Sequence, residues 1–405
     1  MSPAAVPTGA AERTQVGIVG AGPAGLMLSH LLARADIESV VLEQRTRAYC
    51  EGRVRAGVLE HDVAQLLEDT GVGERMRREG LIHDGIELRF DRRGHRISFK
   101  DLTGRTVRIY GQQEVVKDLI AHRIAQGGDI RFEAEDVAVH DHTTDQPRIE
   151  YRLDGDRHTL ACDVVAGCDG FHGVCRDTIP AELRATYIYD YPFAWLGILA
   201  KAPPATDELI YCCHERGFAL YSMRSLSVSR LYLQVAHDER IEEWPDDRIW
   251  AELQVRFEAD AGWRVGEGPT LEKSITPMRS FVSEPMQHGR LFLAGDASHI
   301  VPPTGAKGLN LAIHDVCNLA DALIRWCRQA DSSLLEGYTD ACLARVWRAQ
   351  DFSNWMTRLI HVSGDAFEHR LQLARLRYVA RSEAAARSLA ENYVGLPRYW
   401  GRGAV

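Results

Sequence analysis

The chain has 405 residues, 45% hydrophobic and 26% charged, which gives room for two or three domains around a large core. A formal net charge of -9 excludes a nucleic-acid or anionic-membrane surface as the main partner, and no apolar stretch approaches the roughly 20 residues that cross a bilayer. Residues 1–13, rich in Ala, Pro, Gly and Thr without an apolar leader, read as a disordered tail, and nine scattered cysteines without a C-x-x-C pair read as reduced thiols; the expected location is the cytoplasm, with no metal site.

The first predicted strand carries Val16, Ile18 and Val19 and runs into Gly20-Ala21-Gly22-Pro23-Ala24-Gly25, which opens a helix; the next strand ends at Glu43. This is the fingerprint of a dinucleotide bound at a βαβ unit. Gly20 permits the tight turn, Gly22 lets backbone approach a pyrophosphate, Gly25 lets helix pack closely on strand, and Glu43 can accept ribose hydroxyls. Pro23 suits the first helical turn, where its missing N–H costs nothing, and the free N–H groups of that turn face the phosphates.

Strands and helices alternate over residues 14–185, the pattern of an α/β nucleotide domain. Over 186–284 the pattern becomes successive strands, Trp195 to Ala200, Glu208 to Cys213, Phe218 to Met223 and Arg230 to Val235, which predict an inserted sheet of antiparallel type. The nucleotide domain resumes over 285–330 with a strand at Leu291 to Ala294 and a helix from about Leu309 to Trp326, and 331–405 reads as a helical C-terminal region. Within the inserted sheet, period-2 alternation puts Leu220, Ser222 and Arg224 on one face and Leu209 and Tyr211 on a shared face of the neighbouring strand. A Leu, a hydroxyl and a guanidinium in line make a shelf for a flat ring with a carboxylate at one end; the alternative is an Arg224 paired with an internal acid. Cys212 and Cys213, adjacent on one strand, point to opposite faces and suit neither a bridge nor a shared metal.

Two more segments extend the first motif: Asp163 to Gly170, a buried strand ending in Asp169-Gly170, and Leu291 to Ala297, a strand ending in Gly295-Asp296 and followed by Pro302-Pro303-Thr304-Gly305 and a helix. With these three motifs the chain resembles the class A flavoprotein aromatic hydroxylases. Segments such as Gly52 to Glu60, Ala166 to Gly173, Pro285 to Asp296, Ile300 to Ala312 and Ala390 to Pro397 narrow the resemblance to the 4-hydroxybenzoate 3-monooxygenase family, from Thr14 to Pro397. The resemblance implies an α/β fold with an FAD-binding, Rossmann-type (glutathione-reductase-like) domain, noncovalent FAD, and NADPH or NADH as cosubstrate. It further implies hydroxylation of 4-hydroxybenzoate to 3,4-dihydroxybenzoate by O2 through a flavin C4a-hydroperoxide, and a homodimer; the alternatives are a sister hydroxylase acting on a substituted 4-hydroxybenzoate or an aminobenzoate, and a nonredox FAD-fold binding protein.

By the same resemblance Arg53, Arg55, Gln112, Asp296, Gly308, Leu309 and Asn310 contact the flavin, the helix N-terminus near Asn310 facing its ring. Leu209, Tyr211, Leu220, Ser222, Arg224, Tyr232, Pro303, Thr304 and Tyr393 form the substrate pocket, and the catalytic set is Tyr211, Tyr393, His83 and Pro303: a relay in which Tyr211 meets the phenol, Tyr393 bonds Tyr211, and His83 connects to solvent. Read from its position alone, His83 is a surface residue between a helix and a strand. Arg45, Tyr49, Arg53, His172 and Arg279 match a surface site for the nicotinamide cosubstrate, and Arg230 a guide for flavin movement. Gln44-Arg45 and Glu51 depart from the family pattern; Arg45 favours a 2′-phosphate and Glu51 repels it, so the sequence leaves NADPH or NADH open.

Overall fold

Val16 and Ile18 point into one core and Val19 into another, so both faces of the strand Glu12–Val19 are covered and it occupies the middle of its sheet. Its parallel neighbours are Ser39–Glu43 and Asp156–Gly167, and Asp129–Phe132 and Leu291–Leu293 extend the parallel order outward on either side. Arg148–Leu153 and Glu135–His140 add antiparallel pairs beyond the long Asp156–Gly167 strand. The helices Pro23–Ala33 and Gly308–Gln329 cover one face, sharing a core of Leu26, Leu28, Ile313 and Val316. This computed structural model describes residues 12–55, 57–259 and 262–397. The tail expected over 1–13 lies outside the described residues except for Glu12 and Arg13, which pair with Leu160 and Ala161 and are sheet, not tail. Residues 398–405 of the expected C-terminal region also lie outside them.

The four expected strands form as Ala185–Ala200, Leu209–His214, Gly217–Ser225 and Val228–Ala236. Their sheet is larger than the antiparallel insertion the sequence predicts. Thr270–Glu284 pairs along the outer side of Ala185–Ala200, and the hairpin Gly85–Phe90 and Arg93–Ser98, far upstream, joins the opposite edge. Leu209 to Cys212 run parallel to Ile86 to Arg89, so the sheet is mixed. Ile86, Leu88 and Phe90 alternate into the same core as Tyr211 and Leu220, which is the physical reason a segment of the first nucleotide-binding stretch is recruited here.

The two faces of this sheet bury different partners. Ile210, Cys212, Ala219 and Tyr221 pack on the helix Asp246–Arg256, whereas Leu209, Tyr211, Cys213 and Leu220 pack on the C-terminal helices Tyr338–Ile360, Ala366–Arg381 and Glu383–Val394. Cys212 and Cys213 do face opposite ways, and all nine cysteines are free thiols. The helical run expected over Ala366 to Asn392 breaks at Ser382, whose hydroxyl caps the last helix by accepting from Ala385 N.

Candidate active site

The glycines of the first turn divide by what a side chain would meet. Gly20 has φ +105, and a Cβ there would fall 2.4 Å from the Cys168 carbonyl oxygen; at Gly25 it would fall 2.0 Å from the Gly20 oxygen. Gly22 has nothing within 4 Å. Two glycines close the turn and the third keeps a space open beside the N-terminus of Pro23–Ala33, the arrangement a pyrophosphate requires. Glu43 accepts from Ala21 N at 2.7 Å and from Arg45 N at 2.8 Å, so its carboxylate fixes the turn while half-exposed beside it.

Distant segments converge on the same opening. Gly295, at φ +65, presents an exposed Asp296 that is nonetheless ringed by protein: burial pushes its carboxyl up, while His299, Arg55 and Arg53 pull it down. Arg55 feels burial and the like charge of Arg53, both lowering its pKa, with Asp296 and Tyr49 opposing and Arg230 adding to the effect. Arg53 and Arg55 are exposed and have no ion pair among the described residues. Beneath Asp296, the buried carboxylate of Asp315 accepts from Gly295 N at 2.9 Å and pairs with His299 Nε2 at 2.6 Å. Gln112 stands half-buried at the start of the helix Gln112–Ala125.

At the start of Gly308–Gln329, Gly308 again has open space around its Cα and Leu309 is half-exposed. Asn310, by contrast, is buried and fully engaged: its Oδ1 accepts from Glu60 N at 2.9 Å, and its Nδ2 donates to Val58 O at 3.0 Å and Ala306 O at 2.8 Å. Glu60 next to it is buried between Lys307 Nζ at 2.6 Å, Arg345 at 3.3 Å and His314 at 3.5 Å. Burial alone would raise its carboxyl; Lys307, His314 and Arg345 hold it well below the usual range. Lys307 also donates to Tyr393 O in the last turn of the final helix, and Arg345 to Leu396 O and Pro397 O just beyond it, so these cations hold the end of that helix and the segment after it. An open glycine turn, two arginines without an ion pair among the described residues and two helix N-termini fit a dinucleotide with a fused-ring head.

Leu209, Tyr211, Leu220 and Tyr393, expected to line a substrate pocket, gather on the sheet face that the C-terminal helices cover. Tyr211 stands opposite Leu220, and Tyr232 opposite Leu220 on its other side. The Tyr211 and Tyr393 hydroxyls are 2.6 Å apart, and Tyr211 donates to the Thr304 carbonyl at 3.2 Å. Burial raises the pKa of both phenols, that of Tyr211 helped by Tyr393. Ser222 is buried, its hydroxyl within 3.3 Å of the Met223 carbonyl, and Pro303 is exposed on the short turn Pro303–Gly305. Arg224 Nε and Nη1 are buried without a hydrogen-bond partner, and no ion pair reaches the guanidinium among the described residues. Burial lowers its pKa, with only Tyr232 in support and Arg230 opposed.

His83 is not the surface residue that its sequence position suggests. It is fully buried at the end of Leu81–His83, Nε2 lies 3.3 Å from Met223 Sδ, and Nδ1 has no partner. No hydrogen bond joins it to Tyr393 among the described residues. Burial pushes its pKa down to about 4 against the pull of Glu208, Asp207 and Asp84.

Residues 13–353 match the family model described as an FAD binding domain. The chain is 47% identical over 388 residues to the p-hydroxybenzoate hydroxylase of Acinetobacter baylyi, covering 95% of this chain and 96% of that one. The chain belongs to the p-hydroxybenzoate hydroxylase family. A probable NADH-specific resorcinol 4-hydroxylase of Rhodococcus jostii is 23% identical, with 84% of this chain and 64% of that one covered. Among solved structures, p-nitrophenol 4-monooxygenase from Pseudomonas putida superposes with a TM-score of 0.76 at 18% identity, covering 95% and 99% of the two chains. Aklavinone-11 hydroxylase, solved with FAD and aklavinone, gives 0.71 at 21%, covering 86% and 69%. The fold is that of the flavoprotein hydroxylases, and the chain is an FAD-dependent enzyme.

The residues expected to receive the nicotinamide cosubstrate form two surface groups. Arg45 and Arg53 lie over the exposed Tyr49 ring, 5.4 and 6.0 Å from its centroid. His172 is exposed beside Phe171, over whose ring Arg279 also stands, its Nε 2.7 Å from Asp190 Oδ1. No hydrogen bond, ion pair or ring contact among the described residues links the two groups. Glu51 is paired with Arg47 at 2.6 Å, so its charge is offset locally, and Arg45 has no side-chain ion pair among the described residues. In this family member the sequence reasoning missed the Asp315–His299 pair, the Glu60 cluster and the contact that the expected C-terminal helical region makes with the site through Tyr338–Ile360, whose Thr357 reaches the Thr304 hydroxyl at 2.9 Å. The helical spacing of 338–360 reads as plain core packing, and only the contact with a loop far upstream marks it as part of the site.

Proposed function

We propose that this protein hydroxylates 4-hydroxybenzoate to 3,4-dihydroxybenzoate, using FAD, O2 and NADPH or NADH. The observation that carries the reading is Arg224: two buried, unpartnered guanidinium nitrogens at one end of a face whose other end holds a buried tyrosine pair. Leaving a buried cation unpaired costs several kcal/mol, about as much as one good ion pair returns, so the site calls for an anionic ligand. A carboxylate on Arg224 and a ring along Leu220 would direct a para hydroxyl toward Tyr211.

Bound FAD, reduced by the nicotinamide, supplies the activated oxygen for the ring. The chain's own task is to hold the substrate, keep water out and remove the phenolic proton, because a neutral phenol is a poor nucleophile. In this reading Tyr211 accepts that proton while passing its own toward Tyr393, which a 2.6 Å contact between hydroxyls allows. A bridging water on the unpartnered His83 Nδ1 would carry the path outward. Gly20, Gly22, Gly25, Glu43, Arg53, Arg55, Gln112, Asp296, Gly308 and Leu309 would hold FAD, while Asn310 acts by tying the helix start to Val58. Arg45, Tyr49, Arg53, His172 and Arg279 would receive the nicotinamide. A homodimer and a cytoplasmic location belong to the same proposal; sedimentation tests the first.

The test supplies holoenzyme with 4-hydroxybenzoate, O2 and each nicotinamide in turn. Formation of 3,4-dihydroxybenzoate with substrate-accelerated cosubstrate oxidation supports the reading. Peroxide alone, or hydroxylation at another position, overturns it.

A further inference from the structure

The turn Pro303–Gly305, which would form one wall of the substrate pocket, is held against the helix Tyr338–Ile360 by a directed chain of hydroxyls. Thr357 Oγ1 donates to Ser353 O, one helical turn back, at 2.7 Å. A hydroxyl has one proton, so the 2.9 Å contact between Thr357 and Thr304 must be a donation from Thr304 to Thr357. The Thr304 carbonyl in turn accepts from Tyr211 at 3.2 Å. Tyr211 has one proton for two acceptors, the Thr304 carbonyl at 3.2 Å and the Tyr393 hydroxyl at 2.6 Å, and whenever that proton lies on Thr304 the contact with Tyr393 is a donation from Tyr393 to Tyr211. Thr304, Ser353 and Thr357 are all fully buried, so no solvent can replace a lost partner. Packing agrees with the bonding: a Cβ on Gly305 would meet Ser353 Oγ at 3.0 Å and Phe352 at 3.1 Å, so the turn lies directly on the helix.

We propose that Thr357 is a positioning residue for the reaction: it fixes Thr304, and through the Thr304 carbonyl it sets the resting direction of the Tyr211 hydroxyl and so the ease with which a bound phenol ionises. Ionising that phenol through Tyr211 requires Tyr211 to turn its proton from Thr304 to Tyr393. The closer the Thr304 carbonyl is held, the more that turn costs. Without the Thr357 hydroxyl the Thr304 proton is left buried and unsatisfied, the turn shifts, and the balance between the two directions changes.

This inference rests on the functional reading above, and the experiment separates the two. Holoenzyme and its T357V, T357A and T357S variants are titrated with 4-hydroxybenzoate across pH, reading the bound phenolate by difference absorbance, with peroxide released per cosubstrate oxidised measured alongside. T357V and T357A should each change the bound phenol's ionisation constant by about threefold or more, the scale of one neutral hydrogen bond, and change coupling with it. T357S, which keeps the hydroxyl, should restore the parent values. A shift in T357A that is absent in T357V assigns the effect to packing and overturns the inference, as does a variant that only lowers the melting temperature. If the parent forms no 3,4-dihydroxybenzoate the functional reading fails; if it does and T357V ionises its substrate like the parent, this inference alone fails.

Discussion

The hydroxyls of Tyr211 and Tyr393 meet at 2.6 Å although 182 residues of chain separate them. Tyr393 is fixed there by stacking on Phe99, with ring centroids 4.9 Å apart, and by the Lys307 ammonium on its carbonyl. Tyr393→Phe keeps the ring and removes only the hydroxyl. FAD and 4-hydroxybenzoate should bind nearly as before, while turnover should slow by at least about tenfold, because proton removal in place contributes that much or more. Difference spectra across pH should show less bound phenolate. A variant with the parent's ionisation, rate and coupling reduces Tyr393 to a wall of the pocket.

Arg224→Leu should act in opposite directions on ligand and fold. The substrate loses a charged, desolvated partner, so its binding should weaken by about 2 to 5 kcal/mol. The ligand-free protein loses an unpaired buried cation, so its melting temperature should stay level or rise. Calorimetric titration and thermal unfolding of the same sample check both halves. A loss of stability with unchanged affinity would make Arg224 a structural residue.

How much of this was legible in the sequence depends on how local each signal is. The glycine turn, the Gly295-Asp296 turn and the alternating faces of Gly217–Ser225 follow from spacing alone, since backbone sterics and pleat fix them within a few residues. The hairpin Gly85–Ser98 joining the sheet edge does not, because its pairing with Leu209 to Cys212 is a choice among several half-buried strands. His83 reads as a loop residue until the contact with Met223 closes over it. Asn310 and Thr357 were invisible as loop anchors for the same reason: their partners, Val58 and Thr304, lie far away in the chain.

Gly22 and Gly25 should separate cofactor binding from folding. Gly22→Ala adds a methyl group to open space, so the protein should fold with an unchanged melting temperature in the absence of FAD, yet retain FAD poorly. Gly25→Ala places the same methyl 2.0 Å from the Gly20 oxygen and should cost stability whether or not FAD is present, by about 1 to 3 kcal/mol. Flavin absorbance after gel filtration and unfolding of the apoprotein give the two readings. Equal loss of stability in both variants would contradict the division of roles.

Arg45 lies over Tyr49 with no acidic side-chain partner among the described residues, while Glu51 is held by Arg47. Arg45→Ala should therefore raise the Michaelis constant for NADPH severalfold and leave that for NADH nearly unchanged, since only NADPH carries the 2′-phosphate. Arg47→Ala should free Glu51 and also weaken NADPH. Equal effects on both cosubstrates would mean that this segment does not read the phosphate.

His83 should leave a mark on acid stability. Its folded pKa is depressed to about 4 by burial, below the 6.5 expected of an unfolded histidine. Between those values the unfolded chain binds a proton that the native state does not, so stability is full above pH 6.5 and falls as pH drops through the window. Below pH 4 both forms are protonated and the loss is complete, on the order of 3 kcal/mol for this one residue. His30, also depressed to about 4, and His361, depressed to about 3, fall in overlapping windows, so the comparison must be between parent and variant. His83→Gln cannot take up the proton. Its stability between pH 7 and pH 4 should decline less than the parent's, by that same amount, in denaturant titrations at fixed ionic strength. Parallel stability curves for the two proteins would mean that His83 titrates normally and is open to water.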